Sequence, residues 1–364
     1  MSSEMKTTEL EDSHSLENGF SSGASQDLVY NLVQQQQQEL KEIPPTDSSN
    51  RDPVPDYSND TVYTTIYNLF RNLIWPQAAL KSEEESSPSS ESSVSYYIYH
   101  SILVFFYLLM SIYRFYEYTY NRTKLRFLNL AYNPSRAPSL INSDVNKLPK
   151  IPYRISAILN YKSEQEENGG VEGLCNDASE IAAWCLSSGI PNLTIYEYHG
   201  VLKKHVPELR RSVYRKLVAY FGTSNVPTYR INIPHLNVSY AGSFDDEYPS
   251  DQDKFDIEIS LISVLDGRST IVELTKVMSH LSKTHELSEK DINLKFIDQE
   301  LQQLVGHEPD LIVMFQPYLN LQGYPPWHTR LSEMYWEPDN EEVTYAVFLR
   351  ALQKYSTCKV NVGR

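Results

Sequence analysis

The sequence predicts an α/β domain with a mainly parallel central sheet covered by helices, preceded by one transmembrane helix and a disordered N-terminal tail. Three observations support this fold class. From residue 150 onward, short apolar runs alternate with longer segments of helical periodicity. Residues 96–113 form an apolar run, and residues 1–95 are polar and acidic. The predicted organisation is therefore a tail (1–95), a transmembrane helix (96–113), a basic juxtamembrane connector (114–149) and a folded domain (150–364).

The predicted tail carries most of the net charge. Residues 1–95 hold 16 Asp/Glu against 5 Lys/Arg, which is −11 of the formal charge of −15. Such a segment buries too little apolar surface to fold by itself. Apolar positions at helical spacing between Val62 and Ile74 indicate either a surface-lying or partner-docking helix or a transient element of the tail. No clustered basic face is apparent, so nucleic-acid binding is not expected.

Residues 96–113 contain no Asp, Glu, Lys or Arg and, as a helix, reach roughly 27 Å, close to the thickness of a bilayer core. Tyrosines at both ends are typical of lipid headgroup regions, and they favour a membrane anchor over a buried core helix. Basic residues follow the segment and glutamates precede it, which predicts a cytosolic C-terminal domain. Asn192 and Asn237 begin N-x-Ser/Thr sequons that this topology leaves unmodified.

The folded domain is predicted from alternating periodicities. Strands are expected at residues 155–159, 193–198, 229–233, 257–265 and 311–315, and helices at 173–186, 206–220, around 271–281, 296–304 and 341–355. This alternation is typical of parallel strands joined by helical crossovers. The three cysteines form no C-x-x-C pair, so reduced structural thiols are expected. His205 and His235 have no metal or triad companions at a recognisable spacing, so they are expected to be solvated or satisfied in the core.

Residues 308–339 resemble the closing signature of the cis-prenyltransferases, the undecaprenyl and dehydrodolichyl diphosphate synthase family. Trp327 matches the family tryptophan, and residues 332–335 match its Ser-Glu-Leu-Tyr box. Between these anchors the family carries an Arg-x-Ser-Gly-Glu-x-Arg-x-Ser run that grips isopentenyl diphosphate. Here Met314 and Asn320 stand at the arginine positions, with Gln316, Pro317, Tyr318 and Gln322 at the Ser, Gly, Glu and Ser positions. The resemblance therefore implies a diphosphate site without its two cations.

The end of the first strand shows a similar loss. Residues 154–161 resemble a family segment whose Asp helps to hold Mg²⁺, and Asn160 stands at that position. An amide is a poorer Mg²⁺ ligand than a carboxylate. The acidic residues 162–167 either repel a diphosphate or form an ordinary solvated loop, and both interpretations argue against catalysis. Glu333 matches the family's second Mg²⁺ carboxylate and is expected to make structural hydrogen bonds instead.

Two weaker signals accompany these motifs. The Gly169-Gly170 pair precedes a predicted helix, where a simple turn is favoured over a phosphate-binding loop. Residues 266–272 resemble the family's Gly-Gly-Arg element, and there Arg268 either reaches a phosphate or pairs with a neighbouring carboxylate.

Residues 359–364 resemble the terminal Arg-x-Gly motif of non-catalytic cis-prenyltransferase subunits, which contacts isopentenyl diphosphate in the partner's active site. Asn361 stands at the arginine position, with Val362 and Gly363 in register. Arg364 and Lys359 supply positive charge nearby. The resemblance implies that Asn361, Val362, Gly363 and Arg364 bind substrate in trans, whereas a frayed terminus is the competing interpretation.

From about residue 96 onward the chain resembles the fungal, Nogo-B-receptor-like accessory subunits of dehydrodolichyl diphosphate synthase. This implies a heteromeric ditrans,polycis-polyprenyl diphosphate synthase at the endoplasmic reticulum membrane. A catalytic cis-prenyltransferase subunit would use Mg²⁺ to add isopentenyl diphosphate in cis to farnesyl diphosphate, making the precursor of dolichol for protein glycosylation. This chain would bind no metal itself and would anchor and stabilise that partner.

The sequence leaves two alternative functions open. In the first, the chain is an active prenyltransferase by itself, against which Asn160, Met314 and Asn320 argue. In the second, it is a membrane receptor or lipid-trafficking adaptor without a role in synthesis. A receptor of that kind is expected to tolerate loss of residues 361–364.

Overall fold

The computed structural model describes residues 90–132, 137–242 and 254–359, with side chains from residue 97 onward. The predicted disorder of the tail and the helical pattern at residues 62–74 lie outside these residues. The chain divides into two compact units, one that contains the first described helix and one that contains the sheet.

The first helix, α1, spans Ser90–Ala131 and contains the predicted transmembrane segment. Its portion Tyr97–Ala131 is long and apolar enough to cross a membrane, judged by length and composition, and the apolar window is not buried by protein. The helix continues well beyond residue 113 into the predicted connector. The first proline after residue 113 is Pro134, so no missing N–H interrupts the backbone hydrogen bonds before that point.

The second unit is built on a seven-stranded sheet with the order β4-β3-β5-β2-β1-β6-β7. Its strands are β1 Arg154–Leu159, β2 Asn192–Glu197, β3 Tyr229–Ile233, β4 Val238–Ala241, β5 Ile257–Ile262, β6 Leu311–Met314 and β7 Glu333–Trp336. Only the β3–β4 pair is antiparallel; the other five pairings are parallel. The prediction of a mainly parallel sheet covered by helices is confirmed.

Helices cover both faces of this sheet. They are α2 Pro138–Val145, α3 Gly170–Ser187, α4 Val201–Lys204, α5 Val206–Phe221, α6 Arg268–Lys283, α7 Leu294–Val305 and α8 Tyr345–Thr357. On one face α3 packs against α5, and Trp184 of α3 contacts Phe348 of α8 with ring centroids 5.6 Å apart. On the other face, α6 and α7 bury Ile158, Tyr196, Ile262 and Met314. The apolar core therefore lies on both sides of β1, β2, β5 and β6.

Some element boundaries and two strands differ from the sequence prediction. The fifth strand ends at Ile262 rather than at residue 265, because Ser263 and Asp266 form a capping box that turns the chain into a 3₁₀ helix. The last helix begins at Tyr345 rather than at residue 341. The strands β4 and β7 were not predicted; each has four half-buried residues and therefore a weak periodic signal.

Candidate functional site

The predicted diphosphate site lies where β1 and β6 end, at the carboxyl edge of the parallel strands. Asn160 follows β1, and the segment after β6 folds back towards it. The side-chain Nε2 of Gln322 donates to Asn160 Oδ1 at 2.6 Å and to Gln316 Oε1 at 3.0 Å. An amide NH₂ group has two donors, so both are used within the chain.

Further hydrogen bonds close this group of amides on itself. Asn320 Oδ1 accepts from the backbone N–H of Gln322 at 2.9 Å, and the Asn320 carbonyl accepts from the Gln316 side chain. The hydroxyl of Tyr196 donates to the Gln322 carbonyl at 2.5 Å. We call Asn160, Gln316, Asn320 and Gln322 the amide network. It holds no charged side chain, so it offers little electrostatic attraction to a diphosphate.

Met314, at the other family arginine position, does not face this network. Its side chain is fully buried among Ile158, Ile312 and the residues of α6 and α7. A guanidinium in that apolar environment would lack a partner, whereas a flexible thioether fills the space. The structure therefore brings together Asn160 and Asn320 and separates Met314 from them.

The loop of the amide network also contacts the turn before α6. A Cβ built on Gly267 would lie 2.4 Å from the Gly323 carbonyl oxygen, so only glycine fits that approach. Gly323 itself has φ +79°, in the region that favours glycine. Tyr324, the next residue, is fully buried and donates its hydroxyl to Ser156 Oγ at 3.1 Å. The two loops are thus held by backbone contact as well as by amide hydrogen bonds.

A buried ionic cluster lies at the same edge of the sheet and was not predicted from the sequence. Lys203 of α4 forms an ion pair with Asp266, and His235 Nδ1 lies 3.1 Å from Asp266 Oδ1. Burial raises the pKa of Asp266, but the hydrogen bond from His235 and the charge of Lys203 outweigh burial and lower it from 3.8 to about 2. The three residues are 31 or more positions apart, and their only shared signal is that each follows a strand.

Mg²⁺ does not fit the described residues of this site. No group of three His, Cys, Asp or Glu side chains within them is placed to hold a metal ion. Glu333 is paired in register with Leu311, which pairs with Ile155, so it lies at the opposite end of the strands from Asn160. Five residues of β1 separate those two levels, about 16 Å at roughly 3.3 Å per residue. Glu333 instead contacts the thiol of Cys358 and raises its pKa.

The remaining sequence candidates are exposed or structural. Glu164, Glu166 and Glu167 are exposed in the loop after β1, whose end is closed by the Gly170 N–H donating to the Lys162 carbonyl at 3.0 Å. Arg268 is exposed at the start of α6 and has no ion pair with another described residue.

Trp327, the family tryptophan, is held in place by Asp298 of α7. Its Nε1 donates to Asp298 Oδ1 at 2.8 Å, and Arg330 donates to the same oxygen at 2.9 Å. The Arg330 guanidinium lies over the Trp327 ring, 4.6 Å from its centroid. These contacts fix the frame of the segment after β6 without reaching the amide network.

The predicted trans-acting residues Asn361, Val362, Gly363 and Arg364 lie outside the described residues. The chain before them ends α8 at Thr357, where the Lys150 ammonium donates to the Cys358 carbonyl at 2.6 Å. Because Cys358 contacts Glu333, it lies at the amino ends of the strands, opposite the amide network.

The chain is similar to the corresponding subunit of the dehydrodolichyl diphosphate synthase complex in three organisms. It is 46% identical over 294 residues to the dehydrodolichyl diphosphate synthase complex subunit NUS1 of Saccharomyces cerevisiae, covering 78% of each chain. The subunit nus1 of Schizosaccharomyces pombe is 34% identical over 71% of this chain and 98% of its own. The subunit NUS1 of Homo sapiens is 22% identical over 61% of this chain and 70% of its own.

Among solved structures, lavandulyl diphosphate synthase from Lavandula x intermedia in complex with dimethylallyl diphosphate matches 59% of this chain and 99% of its own. The TM-score is 0.42 and the identity is 17%. No protein-family model matches the chain. The extent and identity of the two yeast matches nevertheless show that this chain belongs to the NUS1 family of dehydrodolichyl diphosphate synthase complex subunits.

Proposed function

We propose that this chain anchors, stabilises and completes the catalytic subunit of a dehydrodolichyl diphosphate synthase complex and performs no catalysis alone. The observation that carries this proposal is the amide network: the donors and acceptors at the end of β1 are used by one another. A diphosphate would have to displace these hydrogen bonds, and the network itself holds no cation that would attract it.

The catalytic partner would supply the chemistry. It would join isopentenyl diphosphate in cis to farnesyl diphosphate and thereby make the polyprenyl diphosphate precursor of dolichol for protein glycosylation. Mg²⁺ would be held mainly by that partner, because the described residues of this chain do not fit the ion.

The position of Cys358 supports a trans-acting role for Asn361, Val362, Gly363 and Arg364. Three residues span at most about 11 Å, so Asn361 cannot cover the distance of about 16 Å from Cys358 to the level of Asn160 in its own chain. Asn361 is therefore too close to Cys358 along the chain to reach the amide network of its own chain. We propose that these four residues act in the partner's site, where a glycine lets backbone N–H groups approach a diphosphate closely.

We further propose a single-pass location in the endoplasmic reticulum membrane with the sheet domain in the cytosol. The length and apolar composition of α1 support a membrane span, and its basic C-terminal flank supports the orientation. This topology predicts that Asn192 and Asn237 carry no glycan. A mobility shift removed by an N-glycosidase, and abolished by Asn192→Gln or Asn237→Gln, would refute it.

Co-expression with a catalytic cis-prenyltransferase subunit tests the functional proposal. Turnover of farnesyl and isopentenyl diphosphate is compared for each chain alone, for the pair, and for the pair lacking residues 361–364. We expect no product from this chain alone. Deletion of residues 361–364 should lower the turnover of the pair by at least about tenfold, because hydrogen bonds to a charged ligand are lost. Co-purification of the two chains should be unchanged. Product from this chain alone, or unchanged turnover after the deletion, would contradict the respective part of the proposal.

A further inference from the structure

Two rows of polar side chains cross one face of the sheet near the amino ends of its strands. Register pairs place Arg154, Asn192, Glu258 and Arg230 side by side in β1, β2, β5 and β3. The next row consists of Ser156, Thr194, Ser260, Asn232 and Ser239. Their neighbours in sequence are buried, so these side chains share a single face.

No helix of the described residues covers this part of the sheet. Among the described residues, β3 is followed by a 3₁₀ turn at Pro234–Leu236 and by β4, and no helix lies between β3 and β5. The C-terminal end of α7, with Gln302, Gly306 and His307, borders the opening. The result is a pocket of about 290 Å³ lined by both polar rows apart from Ser156. That volume is near the lower end of the range for small-molecule sites.

Several lining groups lack partners. The side chains of Asn192, Thr194 and Ser260 are half-buried and make no hydrogen bond with any described residue. The Nε of Arg154 is shielded from solvent and likewise has no hydrogen-bond partner, and Arg154 forms no ion pair in the described part of the chain. Buried polar groups are normally satisfied, so the shielded Arg154 Nε stands out, and the half-buried amide and hydroxyl groups beside it are available to a ligand.

The charge of the pocket is positive. Arg154 and Arg230 face one carboxylate, Glu258, which already accepts a hydrogen bond from Asn232. Arg230 Nε lies 4.0 Å from Glu258 Oε1, and its guanidinium lies over the Phe255 ring at 4.8 Å. Burial lowers the pKa of His307, and the charge of Arg154 lowers it further, so His307 adds no charge at neutral pH. Two guanidinium groups with amide and hydroxyl donors suit an oxyanion.

We propose that this pocket binds a phosphate group, carried either by a small soluble molecule or by a lipid headgroup. Arg154 provides the charge, and Asn192, Thr194 and Ser260 donate hydrogen bonds. The site goes beyond the proposed function, since it lies at the other end of the strands from the amide network and uses none of its residues.

Titration of the full-length protein in phosphatidylcholine nanodiscs with inorganic phosphate tests the soluble source. Sodium chloride at equal ionic strength controls for screening. Arg154→Gln should weaken phosphate binding by about tenfold or more, and Thr194→Val, which keeps the side-chain shape, by a smaller factor. Glu258→Gln should tighten binding because it removes the only carboxylate among the described residues that line the pocket. Arg211→Gln, at an exposed arginine on α5, is the matched control and should change nothing.

Nanodiscs that also contain phosphatidylinositol phosphates, measured without free phosphate, test the lipid source with the same variants. Binding in either arm that is lost in Arg154→Gln supports the proposal and identifies the carrier. A second readout is the His307 resonance: phosphate should raise the pKa of His307 in the unmodified protein, and the rise should vanish in Arg154→Gln. If neither arm shows binding beyond the chloride control, or if Arg154→Gln and Thr194→Val both bind phosphate like the unmodified protein, the pocket is a water-filled gap and the proposal is wrong.

Discussion

Similar polar side chains lie at both ends of the parallel strands, but they differ in whether they hydrogen-bond to other side chains. At the carboxyl ends, the side chains of Asn160, Gln316 and Gln322 form hydrogen bonds with one another. At the amino ends, Asn192 and Thr194 have none within the described chain. Residue type alone therefore does not mark a binding site. A ligand must break existing hydrogen bonds at the first end, whereas at the second it would complete unsatisfied ones.

The largest expected effect concerns the ionic cluster beside the amide network. Asp266→Asn leaves Lys203 buried without its carboxylate, so we expect the free energy of unfolding to fall by about 3–5 kcal/mol. Urea unfolding of the full-length protein measures the change. Glu273→Gln, which breaks an ion pair with the largely exposed Lys276, is the control and should cost at most about 1 kcal/mol. Equal losses in the two variants would show that the carboxyl end is not held by this cluster.

The same cluster predicts a pH dependence. The folded-state pKa of Asp266 is lowered from 3.8 to about 2, so its stabilising contribution is complete above pH 3.8 and is lost as the pH falls through about 2. Acid unfolding monitored by circular dichroism should show this loss in the unmodified protein. In Asp266→Asn the stability in this pH range should vary less steeply. An unchanged acid profile would place the dominant titrating group elsewhere.

A smaller effect is expected inside the amide network. Gln322→Ala removes both donors that join Asn160 to Gln316, so we expect a loss of about 1–2 kcal/mol in stability. Gln165→Ala, at an exposed glutamine in the acidic loop, is the matched control and should stay within about 0.5 kcal/mol. A Gln322→Ala protein as stable as the control would mean that the network is not what orders the loop after β6.

The smallest effect is expected at the amino ends of the strands. Arg154 has no ion pair to lose among the described residues, so Arg154→Gln should change the free energy of unfolding by less than about 1 kcal/mol. Thermal unfolding without phosphate measures this. A large destabilisation would show that Arg154 is structural and would remove the contrast between the two ends.

The sequence was sufficient for five of the seven described strands and for the longer helices of the sheet unit, because those strands are apolar or alternating runs and those helices have a regular buried stripe, as in α6 with Leu274, Met278 and Leu281. It was also sufficient to expect a site without its two cations, from Met314 and Asn320, and without one carboxylate, from Asn160. It was not sufficient for the amide network, since Gln322 and Asn160 are 162 positions apart and meet only when β1 and β6 are adjacent. The Lys203, His235 and Asp266 cluster was missed for the same reason.

The closure of the amide network has an evolutionary consequence. Asn160→Asp would restore one carboxylate, yet Gln322 would still occupy its oxygen and no cation would face it. Met314→Arg would place a guanidinium in the apolar core beneath α6 and α7, where no anion offsets its desolvation. Each single reversal is thus neutral or harmful until the others are in place. The hydrogen bonds that stabilise the loop therefore oppose a stepwise return to a charged diphosphate site in this chain.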